Sequence, residues 1–157
     1  MFSGCKALTT APELPAETLA DYCYNEMFSY CTSLTTAPEL SAYQLGEYCC
    51  QNMFYGCTSL ETAPMIHVVR SLAADCFAGM FYSCTSLSSV TLFIESEINE
   101  YFNPHSYLSN WLNGAGTDTA QLNLVGVMYD YYNDHRDDWT NESLFPANWT
   151  VQPYTGN

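Results

Sequence analysis

The sequence predicts an α/β fold in the form of a short solenoid, with parallel strands on one face, helices on the other and a C-terminal cap. The first observation is a phrase of the form Met-Phe-x-x-Cys, which recurs at intervals of 26, 26 and 27 residues. It starts four units, at Met1, Met27, Met53 and Met80. A fixed period of this size indicates units that bury their apolar faces only against their neighbours. The second observation is that the phrase does not recur beyond residue 94.

Aligned units share apolar positions that would stack as ladders along the solenoid axis. A leucine follows each repeated cysteine by three residues, and the first three units carry a second cysteine. The leucines are Leu8, Leu34, Leu60 and Leu87, and the second cysteines are Cys23, Cys49 and Cys76. Because 48% of the residues are hydrophobic, the chain can build a continuous core.

The leucine of each unit opens a predicted short strand. Residues 34–37 are Thr-rich and are followed by Pro38, which is typical of a short strand. Proline cannot donate a hydrogen bond to a neighbouring strand, so we expect brief parallel strands that end at the prolines. In the fourth unit, residues 87–94 predict a longer strand.

The second half of each unit has helical spacing. Leu45, Cys49 and Met53 lie four residues apart and form one apolar stripe, as in an amphipathic helix. Ser41 and Gln44 fit a capping box at the start of that helix. A strand and a helix in every 26 residues predict a leucine-rich-repeat architecture, with a curved parallel sheet on one face and helices on the other.

We assign residues 1–94 to the leucine-rich repeats and residues 95–157 to a C-terminal capping region. Within the cap, Asn103 and Pro104 suit an N-cap and a first helical turn, and they predict a helix to about residue 113. The first unit begins in register at Met1, with no polar cap before it. Since a solenoid end normally needs such a cap, we expect further repeats before Met1 or another cover.

The remainder of the cap is less regular. Weak alternation of apolar and polar residues predicts a strand over residues 121–128. The polar and acidic residues 129–138 are predicted to form a loop. Large apolar side chains anchor a loop-rich tail, and they are Trp139, Phe145, Trp149 and Val151.

The charge balance excludes several classes of partner. The chain carries 17 acidic residues against 3 Lys and Arg, a net charge of −14. Nucleic acid is excluded because its phosphates need clustered basic side chains, and an anionic membrane surface is disfavoured for the same reason. No apolar run reaches the length of a membrane span, so we predict no membrane insertion. The acidity itself fits either solubility or a basic partner.

The repeated unit resembles a known family. The sequence Met-Phe-x-x-Cys-Thr-Ser-Leu is similar to the BspA-like leucine-rich repeats of surface proteins from gut and oral Bacteroidota, and residues 31–40 are an especially similar stretch. Residues 110–114 and 145–151 resemble the terminal module of those proteins, although Phe145 stands for Ile and Asn148 for Gly. The resemblance implies a cell-surface or secreted protein with a binding role, usually adhesive. It brings no catalytic residues.

The cysteines allow two interpretations. Three pairs of cysteines lie eight residues apart, and each pair could form a local disulfide bond; the pairs are Cys23/Cys31, Cys49/Cys57 and Cys76/Cys84. Free thiols packed in two buried ladders are the favoured interpretation. Cys50 stands outside the ladders, and we expect it to be partly exposed. The absence of a Cys-x-x-Cys pair argues against a structural zinc site.

The candidate functional residues lie in the cap. Tyr129, Tyr131 and Tyr132 alternate with acidic and amide side chains near His135, an arrangement that suits contacts with a sugar or a protein; cap packing is the alternative. Oxygen-rich segments can bind calcium, so four aspartates are weak metal candidates, although their spacing does not match an EF-hand. They are Asp130, Asp134, Asp137 and Asp138.

The sequence therefore predicts a non-enzymatic binding module that needs no cofactor. His67 and His105 have no carboxylate neighbour in the sequence that would orient them for a catalytic pair with a cysteine. We expect the partner to be a host protein, a protein of a neighbouring cell or a glycan. The alternative is a structural spacer or assembly element in a larger surface or virion complex.

Overall fold

The described residues form an α/β fold built on a four-stranded parallel sheet, as the sequence predicts. The computed structural model describes residues 1–40, 42–68, 72–95, 103–139 and 144–156. The strands lie in the order β1 (Thr62–Val68), β2 (Ser89–Ile94), β3 (Ala120–Leu124) and β4 (Trp149–Pro153). Three helices accompany them: α1 (His105–Leu108), α2 (Val127–Asp134) and α3 (Arg136–Trp139). The capping box that includes Ser41 falls outside the described residues.

The first two units continue the sheet beside β1 through isolated bridges. Thr36 bridges to both Thr10 and Thr62, and Leu40 bridges to both Leu14 and Ile66. The prolines between these bridges lack the N–H group that a continuous ladder requires. The expectation that every strand ends at its proline is wrong for β1, which passes through Pro64. There the pairing with β2 shifts register instead.

The helices predicted in the repeats are wrong. Residues 21–30, 47–56 and 74–83 are instead chains of turns. Successive backbone N–H groups donate in turn to a carbonyl of the same segment and to a carbonyl of the next segment. Cys23 N–H donates to the Ala20 carbonyl at 3.2 Å, and Tyr24 N–H donates to the Cys49 carbonyl at 2.8 Å. In each segment, every fourth residue has a positive φ, which ends any α-helical run. Such a turn chain returns the same face to the core every four residues, so its apolar spacing imitates that of a helix.

The core lies between the sheet and these turn segments. Aromatic rings run through it as a ladder from Phe2 to Phe28, Phe54 and Phe81, with centroid distances of 5.5, 5.6 and 5.6 Å. Trp111 follows Phe81 at 6.5 Å. The leucine ladder is buried in the second, third and fourth units. Stacked rings and leucines of successive units supply the apolar burial that a single unit lacks.

The cysteines are free thiols and most of them belong to this core. The Sγ atoms of Cys31, Cys57 and Cys84 each donate to a Phe carbonyl of the preceding unit at 3.1 Å. Burial raises the pKa of Cys57 to about 12, and burial likewise raises that of Cys76 to about 12. The expectation that Cys50 is partly exposed is wrong, because its backbone pairs with Cys76 of the next unit and encloses the side chain.

The inter-unit pairing continues into the cap with a longer interval. Phe81 N–H donates to the Trp111 carbonyl at 2.8 Å, so residues 109–114 form a fourth turn segment. The predicted helix begins as expected, where the Asn103 side chain accepts a hydrogen bond from His105 N–H at 3.0 Å. It ends at Leu108 and not near residue 113, because the residues that follow pair with the third turn segment.

The last part of the cap is more regular than predicted. The predicted loop over residues 129–138 is helical in α2 and α3, and the strand predicted over residues 121–128 ends at Leu124 because α2 starts at Val127. The tail ends in strand β4. Two indole N–H groups tie the cap together: Trp111 donates to the Leu144 carbonyl and Trp149 to the Ala115 carbonyl, both at 2.9 Å.

Candidate functional site

The aromatic residues predicted as a binding site lie on helix α2 and at its C-terminus. Tyr129, Tyr131 and Tyr132 are partly buried and pack against the core. The Tyr131 ring stacks on His135 with 4.0 Å between the ring centroids, and Tyr132 packs edge-on against Trp139 at 5.8 Å. Much of the surface of these rings is therefore buried in contacts inside the cap.

The acidic candidates occupy the same two helices. Asp130 and Asp134 lie on α2 and Asp137 lies on α3, whereas the Asp138 side chain falls outside the described residues. Across the described ranges, no three His, Cys, Asp or Glu side chains approach closely enough to hold a metal ion. The structure thus supplies no grouping of ligands around these aspartates.

A polar groove on the outer surface of the turn segments was not predicted. Its volume is about 560 Å³, and it spans the second, third and fourth turn segments. Its floor is formed by Ala78 and Gly79 of the third unit, with Tyr82 and Asp75 at its ends. Asn52 N–H donates to the Ala78 carbonyl at 2.8 Å, so the second unit lies directly beside this floor.

Longer polar side chains rise on both sides of the floor. Gln51 and Asn52 line the groove from the second turn segment, and Ser109 and Asn110 line it from the fourth. Gly79 N–H donates to the Ser109 carbonyl at 2.8 Å, which aligns the two walls with the small residues between them. The groove therefore exists because one unit carries Ala-Gly where its neighbours carry polar side chains.

Stacked tyrosines form one end of the groove. The Tyr55 and Tyr82 rings are nearly parallel, with an interplanar angle of 5° and centroids 4.8 Å apart. Tyr30 packs edge-on against Tyr55 at 5.2 Å, and its side-chain hydrogen bond raises the pKa of Tyr55. Tyr55 and Tyr82 come one residue after the buried phenylalanine of their phrases, and Tyr30 comes two residues after its own.

The electrostatics of the groove are simple. None of the described residues that line it is Lys, Arg or His, and Asp75 supplies its carboxylate. That carboxylate is the main cause of the raised pKa of Tyr48, which stacks on Tyr22 at 4.9 Å. Amides, hydroxyls and one carboxylate can exchange many hydrogen bonds with a hydroxyl-rich or basic ligand.

The outer face of the sheet is also polar, but its side chains bond to one another. Gln152 Nε2 donates to Asn123 Oδ1 at 2.8 Å and to Gln121 Oε1 at 3.0 Å. His67 stacks on Phe93 at 4.5 Å and lies 2.9 Å from the carboxylate of Glu95. The sequence analysis missed this last pair, because the two residues meet only through the pairing of β1 with β2.

Only the three-dimensional arrangement reveals the groove. The sequence could have signalled it through the Ala78-Gly79 pair, which interrupts a row of polar residues at equivalent positions. No helix within the described ranges is long and apolar enough to cross a membrane. Comparison with protein-family models, with curated proteins and with solved structures finds no match to this chain.

Proposed function

We propose that this chain is a leucine-rich-repeat solenoid of the BspA-like type and acts as a non-enzymatic binding module at the cell surface or in secreted form. Its partner is a protein of a host or a neighbouring cell, or a glycan. The observation that carries the proposal is the polar groove over the Ala78-Gly79 floor. A binding surface of this kind, placed on stacked repeats, is how repeat proteins contact their ligands.

The solenoid assignment is supported by the regular hydrogen bonds between units. Tyr22, Tyr24 and Phe28 donate from the first two units to the carbonyls of Glu47, Cys49 and Met53. The same pattern then recurs one unit further along, where Cys50 and Phe54 donate to Cys76 and Met80. Units that share such a ladder stack in one direction and leave long rows of equivalent side chains on their surface.

The non-enzymatic assignment is supported by the burial of six of the eight cysteine thiols. The pKa of Cys57 and that of Cys76, both raised by burial to about 12, leave these thiols protonated at neutral pH. Their Sγ atoms lie in the core rather than beside the groove. The groove offers hydrogen-bonding groups for recognition, and function is argued from that site rather than from the fold.

The proposal is tested by immobilising the chain and screening extracellular matrix proteins and glycans for binding. We expect at least one ligand to bind the native chain and to lose affinity for the Tyr82→Ala variant. Thr150→Ala is the matched control, because Thr150 is exposed on the outer face of the sheet. Folded protein that retains no ligand from the whole panel would contradict the proposal.

The second candidate function is a structural spacer or assembly element. It is favoured by the hydrogen bonds that repeat from unit to unit, such as Tyr24 N–H to the Cys49 carbonyl at 2.8 Å and Cys50 N–H to the Cys76 carbonyl at 2.9 Å. A stack of this kind can lengthen by adding units. Light scattering of the chain over a range of concentrations tests this function. End-to-end growth with concentration would favour it, and a stable monomer would argue against it.

A further inference from the structure

We propose that the groove over Ala78 and Gly79 is a binding site for a neutral oligosaccharide. This inference rests on the proposed binding function and names the chemical class of its ligand. One sugar ring lies between the polar walls formed by the second and fourth turn segments. Neighbouring rings of the oligosaccharide extend toward the Tyr55–Tyr82 end.

The site lies between two walls. Ala78 and Gly79 form its floor, and the backbones that carry the walls lie one turn segment away on either side. Backbone segments in a paired ladder lie roughly 4.8 Å apart, so these two backbones are about 10 Å from each other. A sugar ring that rests on the rims of the groove can direct hydroxyl groups at both walls.

Glycine at position 79 makes room for a polar group of the wall. Gly79 has a φ of +61°, and a Cβ atom at this position would overlap the amide oxygen of Asn52. The equivalent positive φ is adopted by Asn52 in the second turn segment and by Asn110 in the fourth. The conformation therefore accepts a side chain in the neighbouring segments, and the glycine of the third segment lets the Asn52 amide lie over the floor.

The walls carry groups that suit sugar hydroxyls. Asn52 offers an amide donor and an amide acceptor, and Ser109 and Tyr82 add hydroxyls. The Asn110 amide donates to Ser109 Oγ at 3.4 Å and accepts from Asn113 Nδ2 at 3.5 Å, which holds the opposite wall together. Sugar hydroxyls both donate and accept, so they can bond to groups of both kinds. A protein partner would instead need apolar anchors in well-packed pockets, whereas the floor here is a single Ala-Gly pair.

The charge of the groove disfavours anionic sugars. Asp75 places a carboxylate at the edge of the groove, and the described lining residues include no cation. The whole chain carries a net charge of −14. Sialylated and sulfated sugars are repelled by this field, so among oligosaccharides the neutral ones fit the groove.

The test is a titration of the isotope-labelled chain with four neutral trisaccharides: maltotriose, cellotriose, mannotriose and triacetylchitotriose. Sialyllactose is the anionic probe. We expect at least one neutral sugar to shift the side-chain amide signals of Asn52 and Asn110 saturably at millimolar concentration. Sialyllactose should leave those signals unchanged.

Two variants locate the binding, and one serves as the control. Ala78→Gln fills the floor with the residue found at the equivalent position of the second unit, and Asn110→Ala removes one wall while leaving the floor intact. Each should weaken binding by roughly tenfold or more, the loss expected for about 1.4 kcal/mol. Gln121→Ala, on the outer face of the sheet, should bind as the native chain does. Thermal melting checks that every variant is folded.

The outcomes separate this inference from the broader function. Saturable binding of a neutral sugar that is lost in Asn110→Ala and kept in Gln121→Ala supports the inference. Equal binding by all variants, tighter binding of sialyllactose, or no saturation with any neutral sugar overturns it. If the sugars fail while a matrix protein binds in the screen above, the binding function stands and the saccharide assignment falls.

Discussion

The first and third units carry the same phrase but occupy different environments. Met1 is 94% exposed, whereas Met53 at the equivalent position is fully buried. Phe2 is partly buried, whereas Phe54 is stacked between Phe28 and Phe81 on its two sides. Identical residues at identical positions of a repeat thus differ in burial. What differs is the number of neighbouring units that cover them.

This contrast explains how stability is distributed along the repeats. A solenoid-like stack gains its free energy of folding from contacts between neighbouring units as well as from each unit alone. A unit covered on both sides contributes two such interfaces, and a unit covered on one side contributes one. The following four predictions compare residues of the first unit with residues of the interior units.

The largest difference is expected in thiol reactivity. Cys5 is exposed, whereas Cys57 is fully buried and its pKa is raised by burial to about 12. At pH 8 the thiolate fraction of Cys57 is on the order of 10⁻⁴, and the thiolate is the reactive form. We expect iodoacetamide to modify Cys5 at least about a thousandfold faster than Cys57, measured by mass spectrometry of quenched digests.

The buried thiol of Cys57 also lowers the free energy of unfolding at alkaline pH. The folded pKa of Cys57 lies above its ordinary value of 9.0, so the folded state holds this proton more tightly than the unfolded state. Its contribution is therefore complete below about pH 9 and is lost as the pH rises toward 12, by up to about 1.4 kcal/mol per pH unit. Cys57→Ala should reduce this alkaline loss.

Equal labelling of Cys5 and Cys57 in folded protein would refute the contrast between the two units.

The next difference is expected for the aromatic ladder. Phe54→Ala removes a ring that is stacked on both sides, and we expect it to lower the free energy of unfolding by about 3–5 kcal/mol. Phe2→Ala should cost about half as much or less, because that ring is only partly buried. Urea unfolding followed by circular dichroism measures both values. If the two losses are equal, coverage by neighbouring units does not govern stability here.

The smallest difference is expected for two glycines with left-handed backbone. Gly4 has a φ of +74°, and no atom lies within 4 Å of the position that a Cβ would take there, whereas a Cβ at Gly79 would overlap Asn52. Gly4→Ala should cost about 1 kcal/mol through the backbone alone. Gly79→Ala should cost about 2 kcal/mol, because the Asn52 amide must also move. Melting temperatures of the two variants would show whether the added contact matters.

Much of the scaffold could be predicted from the sequence. The period of the phrase indicated α/β units, a parallel sheet and the leucine ladder, and residues 87–94 were correctly expected to contain a strand, now β2. The turn segments could not be predicted, because apolar residues spaced by four suit a helix and a turn chain equally. Only the positive φ of residues such as Tyr48 and Asn52 separates the two conformations.

The candidate site depended on structure to a greater degree. The tyrosines of α2, chosen for their acidic surroundings, are largely occupied by packing against Trp139 and His135. The groove instead joins Asn52, Gly79 and Asn110, which are distant in the sequence and adjacent in space. Asn52 and Gly79 are 27 residues apart, as the repeat predicts. Gly79 and Asn110 are separated by a longer interval of roughly 30 residues, which no repeated phrase indicates.

By itself, the sequence determined the repeating units, the residues that form the buried ladders and the acidic character of the surface, because these properties depend on local spacing and composition. Tertiary structure alone decided which copies of each ladder residue are covered and where the surface opens into a groove. Both depend on neighbouring units lying about 5 Å apart, and that neighbourhood arises only when separate units pair through their backbones.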